Sequence, residues 1–246
     1  MANPDARLAV LIDSDNVAPD RVGVLLAEIA TYGVAAVRRM YGDWTSDRLR
    51  KWKPAANEHA IQPIQQFAYT TGKNATDSAM IIDAMDLRYT ERFDGFCLVS
   101  SDSDFTRLAS RLRESGVTVY GFGERKTPKA FVTACDRFVY LDVLGSEDEE
   151  AEKPISRKRR TVKELRSDQQ LVQLLHKGVD AASDDDGWSD LGRVGKNLRS
   201  LSPDFDPRNW GFAKLGDLVA AVGLFTVDRV VEPSGQATVR VKRKAR

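Results

Sequence analysis

The sequence is poor in the residues that build soft metal sites. Of 246 residues only two are cysteine, Cys97 and Cys135, and only two are histidine. With no CxxC pair, a structural zinc site is not expected. A chain of this length can bury a full core without disulfides, and so few thiols suit a reducing, cytoplasmic compartment. No apolar run approaches the roughly 18 residues of a membrane span. The start lacks the charged-then-apolar pattern of a secretory signal, so no membrane partner is expected. Excess charge is missing too: 37 bases against 36 acids leave a net +1. That total argues neither for nor against nucleic acid, whereas the distribution is uneven. Acids bunch at Glu147-Asp148-Glu149-Glu150, bases at Arg157-Lys158-Arg159-Arg160 and again at Lys242-Arg243-Lys244 near the end. These blocks fit either a solvated linker and tail or contact with a polyanion.

What the chain does have is a set of acids placed at structural boundaries. Leu8-Ala9-Val10-Leu11-Ile12 is an unbroken apolar run that stops in Asp13-Ser14-Asp15-Asn16. A run without polar alternation reads as a strand buried on both faces, as in a parallel sheet covered by helices. Phe96-Cys97-Leu98-Val99 repeats the pattern and ends in Ser100-Ser101-Asp102-Ser103-Asp104. Between the two runs, helical spacing alternates with short apolar strands: a helix over 18–32 closed by Gly33, a strand over 34–41, a weaker helix over 46–59 interrupted or ended by Pro54, and a strand over 61–67. A polar loop then feeds a helix from Ala75 to about Thr90. After Val99 come a helix over 105–115, a strand over 117–122, a short helix over 129–134 and a last strand over 138–141. Strands alternating with helices in this way predict an α/β domain built on a doubly wound parallel sheet.

The chain divides into a first domain at 1–144, a charged linker at 145–166 and a smaller domain at 167–246. In the last, helices begin near Leu171 and cover 191–201 and 212–222. The segments 224–227 and 237–241 pair around Pro233-Ser234-Gly235. Three helices and a β-hairpin are the order of a winged helix-turn-helix.

In a doubly wound sheet, ligands bind beyond the carboxyl ends of the strands where strand order reverses. Asp13 and Asp102 meet there if their strands are adjacent. Asp15 and Asp104 lie one step further out, and Asp77 falls in the first turn of the helix that follows the polar loop. Clustered carboxylates call for a cation, and oxygen ligands without His or Cys suit Mg²⁺ or Mn²⁺ and phosphate substrates. Each acid also has a structural use. Asp77, three residues after Asn74, fits a capping arrangement; Asp102 or Ser103 fits the N-cap of the next helix; Asp15 fits a cap or an Asx-turn. Asn16 could orient a phosphate oxygen or occupy a left-handed turn, and Lys73 could ground a phosphate or be simply solvated. Asp83 and Asp86 are expected on the solvated side of their helix.

Three motifs taken in order resemble the NYN domain, a branch of the PIN-like nucleases: Leu11-Ile12-Asp13-Ser14-Asp15-Asn16, Gly72-Lys73-Asn74-Ala75-Thr76-Asp77 and Val99-Ser100-Ser101-Asp102-Ser103-Asp104-Phe105. The resemblance covers about 6–144. It implies a metal-dependent ribonuclease fold with Asp13, Asp77 and Asp102 in the places of the metal-binding acids, and Asp104 and Asn16 at further motif positions. The second domain resembles the OST-HTH, or LOTUS, winged helix, through Leu171-Val172-Gln173-Leu174-Leu175, Trp188-Ser189-Asp190-Leu191-Gly192 and Asn209-Trp210-Gly211-Phe212 with the helix after it. That implies RNA binding or protein interaction. Lys196, Arg199, Arg208 and Lys214, or the hairpin with Arg240 and Lys242, are its candidates for RNA backbone contact, whereas the Asp184-Asp185-Asp186 turn is a poor phosphate surface. Trp188, Trp210 and Phe212 could stack on bases but are expected in the core.

Three functions follow: a metal-dependent ribonuclease with a binding module, an inactive RNA-binding scaffold, or a phosphatase of the haloacid-dehalogenase kind. For the last, Asp13 would be the nucleophile and Asp15 the acid/base of a DxDx[T/V] pattern.

Overall fold

A computed structural model describes residues 4–67, 75–145, 159–231 and 237–244. The chain divides into two compact units, Met1–Ile155 and Ser156–Arg246. Lys73, Asn74, most of the linker and the hairpin turn fall outside the described residues.

The first unit is a six-stranded parallel sheet. Its strands are β1 (Arg7–Asp13), β2 (Val34–Gly42), β3 (Gln62–Gln65), β4 (Gly95–Val99), β5 (Thr118–Gly123) and β6 (Arg137–Tyr140), in the order β3-β2-β1-β4-β5-β6. The helices are α1 (Val22–Ala30), α2 (Trp52–Glu58), α3 (Ala75–Tyr89), α4 (Thr106–Glu114) and α5 (Lys129–Ala134). Order reverses between β1 and β4, which pair directly with Ile12 opposite Val99. The apolar runs of these two strands are buried on both faces for the reason the sequence suggested: side chains alternate between two cores. Leu8, Val10 and Ile12 join Cys97 and Val99 with α1 and α2, while Ala9 and Leu11 join Phe96 and Leu98 with α3, α4 and α5. One more step of the alternation puts Asp13 and Ser100 on the face that α3 and α4 cover. Both cysteines are free and buried.

Local chemistry moves several boundaries. Pro54 does not end α2; it lies in the first turn, where a backbone N–H has no helical partner to lose. The helix expected from residue 18 begins as a 3-10 turn at Pro19–Arg21 and becomes α-helical at Val22. Asp83, expected in solvent, accepts hydrogen bonds from Arg39 and the Tyr41 hydroxyl on β2 and so ties α3 down to the sheet. Helical spacing alone places Asp83 toward solvent, whereas Arg39 and Tyr41 on β2 draw it into a partly buried hydrogen-bonded position.

The second unit holds α6 (Val162–Ser167), α7 (Gln169–Asp180), β7 (Trp188–Asp190), α8 (Leu191–Leu201), α9 (Leu215–Val222), β8 (Phe225–Val231) and β9 (Ala237–Arg243). Its antiparallel sheet has the order β7-β9-β8. It carries one helix and one strand more than the three helices and hairpin expected. α6 begins inside the stretch read as linker, and its start is a capping box in which Thr161 and Glu164 satisfy each other's backbone N–H groups. Leu165 is fully buried, so α6 belongs to this unit's core. α9 begins at Leu215 rather than at residue 212, because residues 207–210 form a 3-10 turn first. Gly223, left-handed at φ 72°, closes it. Phe212 is buried and Trp210 packs on the same core while donating from Nε1 to Asp168 at 3.0 Å. Among the described residues no helix is long and apolar enough to cross a membrane.

Candidate active site at the carboxyl ends of β1 and β4

Asp13 ends β1 with its side chain 1% exposed. Three donors converge on the carboxylate: the Ser100 hydroxyl at 2.8 Å, Asn16 Nδ2 at 2.5 Å, and the backbone N–H of Asp15 at 3.1 Å. Burial pushes the Asp13 carboxyl up from its ordinary value, and those donors, Ser100 foremost, pull it back toward the ionised form. The Asx-turn expected at Asp15 is made by Asp13 instead, two residues earlier, and Asn16 is engaged by that same carboxylate.

Ser100 is the residue the motif reading passed over. Its hydroxyl donates to Asp13 and accepts from the Asp102 backbone N–H at 3.1 Å, so one oxygen joins the loops that leave β1 and β4. The strand register is what singles it out: Ser100 follows Val99, the register partner of Ile12, and therefore stands beside Asp13. The floor behind it is tight. A Cβ on Gly123 would sit 2.5 Å from the Ser100 carbonyl oxygen, so only glycine lets β5 approach here.

Asp102 is the N-cap of the 3-10 turn Ser103–Phe105, its carboxylate accepting from the Asp104 N–H at 2.9 Å. The capping use and a role at the site are therefore both open to it. Asp104 is exposed beside it. Asp77, in the first turn of α3, is half-buried. Burial first, then the charges of Asp13, Asp102, Asp104 and Asp15, push its carboxyl up to about 6. The five acids thus share one electrostatic neighbourhood in which Asp77 bears the strain. A cation does touch its rim: Arg48, on the 3-10 turn Asp47–Leu49 after β2, pairs with Asp15.

The comparison with known families decides the assignment. Residues 7–142 match the NYN domain and residues 166–235 the OST-HTH/LOTUS domain. The chain belongs to the NYN family. The NYN domain is PIN-like, a relation that displaces the haloacid-dehalogenase reading of Asp13 and Asp15. No protein of curated function matches the chain. Among solved structures, a Vibrio parahaemolyticus protein of unknown function is 18% identical and covers 58% of this chain and 96% of its own, with a TM-score of 0.48. An uncharacterised Nitrosomonas europaea protein is 31% identical over 42% of this chain and 90% of its own, TM-score 0.29. A Chromobacterium violaceum fragment is 26% identical over 36% of this chain and 87% of its own, TM-score 0.26.

NYN nucleases are typically metal-dependent, and the acids of this NYN domain can be tested against that. The donors are all oxygen, and mutual repulsion on Asp77 is relieved by a positive charge. Among the described residues no three His, Cys, Asp or Glu side chains are arranged to hold one ion. The set therefore fits a hard cation that keeps several waters and takes one or two carboxylates, and does not fit an all-protein cage.

In the LOTUS domain the predicted basic contacts divide. Lys196 and Arg199, on α8, and Lys214, at the N-cap of α9, are exposed. Arg208 is held by the buried Asp206 at 2.7 Å. Arg240 is held by Asp184 at 3.0 Å, and Lys242 donates to the Asp186 carbonyl at 2.6 Å. The acidic turn thus occupies the hairpin cations that looked available in sequence.

Proposed function

We propose that the NYN domain is a ribonuclease that hydrolyses RNA phosphodiester bonds with a divalent cation, Mg²⁺ or Mn²⁺, and that the LOTUS domain holds RNA or a protein partner. The observation that carries this is the acid cluster at the reversal of strand order, with Asp77 raised by burial first and then by the charges of four other carboxylates. Such an arrangement costs stability, and a cation bound against phosphate offsets it. In this reading Asp13, Asp77 and Asp102 are the metal-site acids, one or two of them ligating the ion directly and the rest holding its waters, and Asp104 assists. A bound ion supplies counter-charge to the phosphate and to the attacking water. Ser100 and Asn16 keep Asp13 ionised and fixed in direction, a positioning role. Without a cation the Asp77 carboxyl is pushed up to about 6, and a bound cation favours its ionised, metal-holding form. In the LOTUS domain Lys196, Arg199 and Lys214 are the backbone contacts, while Arg208 serves structure through Asp206.

The test is cleavage of labelled RNA by the full chain with Mn²⁺, Mg²⁺ or EDTA. Asp13→Asn is expected to lose more than the ~10–100-fold typical of removing an outer partner, and Ser100→Ala to fall inside that range. Cleavage that survives both EDTA and Asp13→Asn would overturn the assignment. RNA binding without any product, equal in wild type and Asp13→Asn, would favour a scaffold in its place.

A further inference from the structure

A carboxylate cluster repels the polyanion it is meant to cut, so a docking surface of opposite sign has to lie close by. A short segment after the end of β2 supplies one. Of residues 47–53, four are basic, Arg48, Arg50, Lys51 and Lys53, and one, Asp47, is acidic. All four cations are exposed, while Leu49 and Trp52 between them are 5% and 1% exposed and anchor the segment to the core under α1 and α2. Its place is fixed at two points. Leu49 lies against Gly42 at the end of β2, where a Cβ on that glycine would meet Leu49 Cδ1 at 2.4 Å. Arg48 reaches Asp15, two residues beyond Asp13.

The other flank of the cluster is different. Beyond β5, Arg125 pairs with Asp142 at 3.0 Å and stacks over Tyr140 at 4.0 Å, and Lys126 pairs with Glu124 at 2.9 Å. Those cations are spent on the protein itself. Arg50, Lys51 and Lys53 make no ion pair among the described residues, and Arg48 is committed only to an acid that belongs to the cluster. Exposed, unneutralised positive charge along residues 48–53 gives the substrate backbone a place to land beside the cluster.

We propose that Arg48, Arg50, Lys51 and Lys53 form the surface on which the RNA phosphodiester backbone lands, and that Arg48 exchanges Asp15 for a phosphate as the chain enters the site. The proposal rests on the ribonuclease reading and adds the path by which the substrate comes in, over the β2 side of the sheet. Contacts of this kind go to phosphates, so they act alike on all sequences and weaken as salt rises. Guanidinium geometry suits Arg48 to two phosphate oxygens where a lysine offers a point charge.

The experiment is binding of a fluorescein-labelled, unstructured RNA oligonucleotide to the full chain in EDTA across a salt series. Wild type is compared with the triple variant Arg50→Ala/Lys51→Ala/Lys53→Ala. Both are measured again in a background carrying Arg193→Ala/Lys196→Ala/Arg199→Ala/Lys214→Ala, which removes the basic face of α8 and the Lys214 contact so that the LOTUS domain cannot mask the result. The triple variant is expected to bind about tenfold more weakly at low salt, with the log–log salt slope reduced by about 0.7 for each phosphate that is no longer neutralised. With Mn²⁺ present, Arg48→Ala is expected to raise KM more than it lowers kcat, and Arg48→Lys to restore part of the loss. Equal affinity and equal slope in both backgrounds would overturn the landing surface. A wild-type chain that cleaves nothing, yet loses binding in the triple variant, would remove the ribonuclease reading and leave the surface standing. The substituted residues are exposed, and matching circular-dichroism melts establish that the variants fold.

Discussion

The two domains treat their acids in opposite ways. In the LOTUS domain Asp168, Asp180, Asp184 and Asp206 pair with Arg160, Arg243, Arg240 and Arg208. In the NYN domain Asp13, Asp15, Asp77 and Asp102 lie close enough for Asp77 to feel the negative charge of the others, and Arg48 pairs with Asp15 at the rim. Elsewhere in the same NYN domain acids are paired, as Asp83 is with Arg39 and Asp142 with Arg125. The difference therefore does not reflect a shortage of bases. Paired acids are parts of the architecture, and acids held against mutual repulsion mark the place where something else supplies the positive charge.

Substitutions that break this contrast should separate the two kinds of acid. The largest effect is expected at Asp83→Asn, which leaves the Arg39 guanidinium, 24% exposed, without its counter-charge and weakens the acceptor of the buried Tyr41 hydroxyl. A loss of about 2 kcal/mol in denaturant unfolding is expected, below the figure for a fully buried pair because both partners reach water. Next comes Asp77→Asn, which should stabilise the metal-free protein, raising the melting temperature of the NYN domain by roughly 3 °C while abolishing metal-dependent cleavage. The sign follows from Asp77 itself: its carboxyl is raised to about 6 from 3.8, so the folded state holds a proton that the unfolded chain has released. Stability of the metal-free protein should accordingly fall as pH rises from about 4 through about 6, and the Asn variant should lose the part of that slope that Asp77 contributes, Asp13, also raised, keeping its own. A melt series at pH 4.5, 5.5 and 7 reads it directly. The smallest effect belongs to the exposed Asp184–Arg240 pair, both partners about two-fifths exposed, where a double-mutant cycle should give no more than ~0.5 kcal/mol. A coupling several times larger would mean that the acidic turn and hairpin form a tighter unit than their exposure suggests.

Most of the NYN domain was legible because its signals are local and repeated. Two apolar runs ending in acids specify two buried strands, and the pairing of β1 with β4 then brings Asp13 within reach of Asp102's loop. What stayed hidden depended on long-range partners. The position of Asp83 on α3 says nothing of Tyr41 and Arg39, which lie more than forty residues earlier. Ser100 looked like one serine among several until the β1–β4 register set it beside Asp13. In the LOTUS domain, α6 was announced by Thr161 and Glu164, but the surrounding charge made the stretch read as linker. The cations on β9 looked free because the turn at 184–186 that engages them is remote in sequence.

Cys97 and Cys135 have a practical consequence. Both are buried in the NYN core, and burial pushes their thiols far above the ordinary cysteine range, so neither presents a thiolate to solvent in the native state. A cysteine introduced on an exposed helix position, such as Ser200 on α8 or Ser78 on α3, would then be the reactive thiol of the native chain, without removing either natural one. One such label in each domain gives a spectroscopic ruler between them, and RNA added in EDTA would report whether the two domains draw together on a single strand.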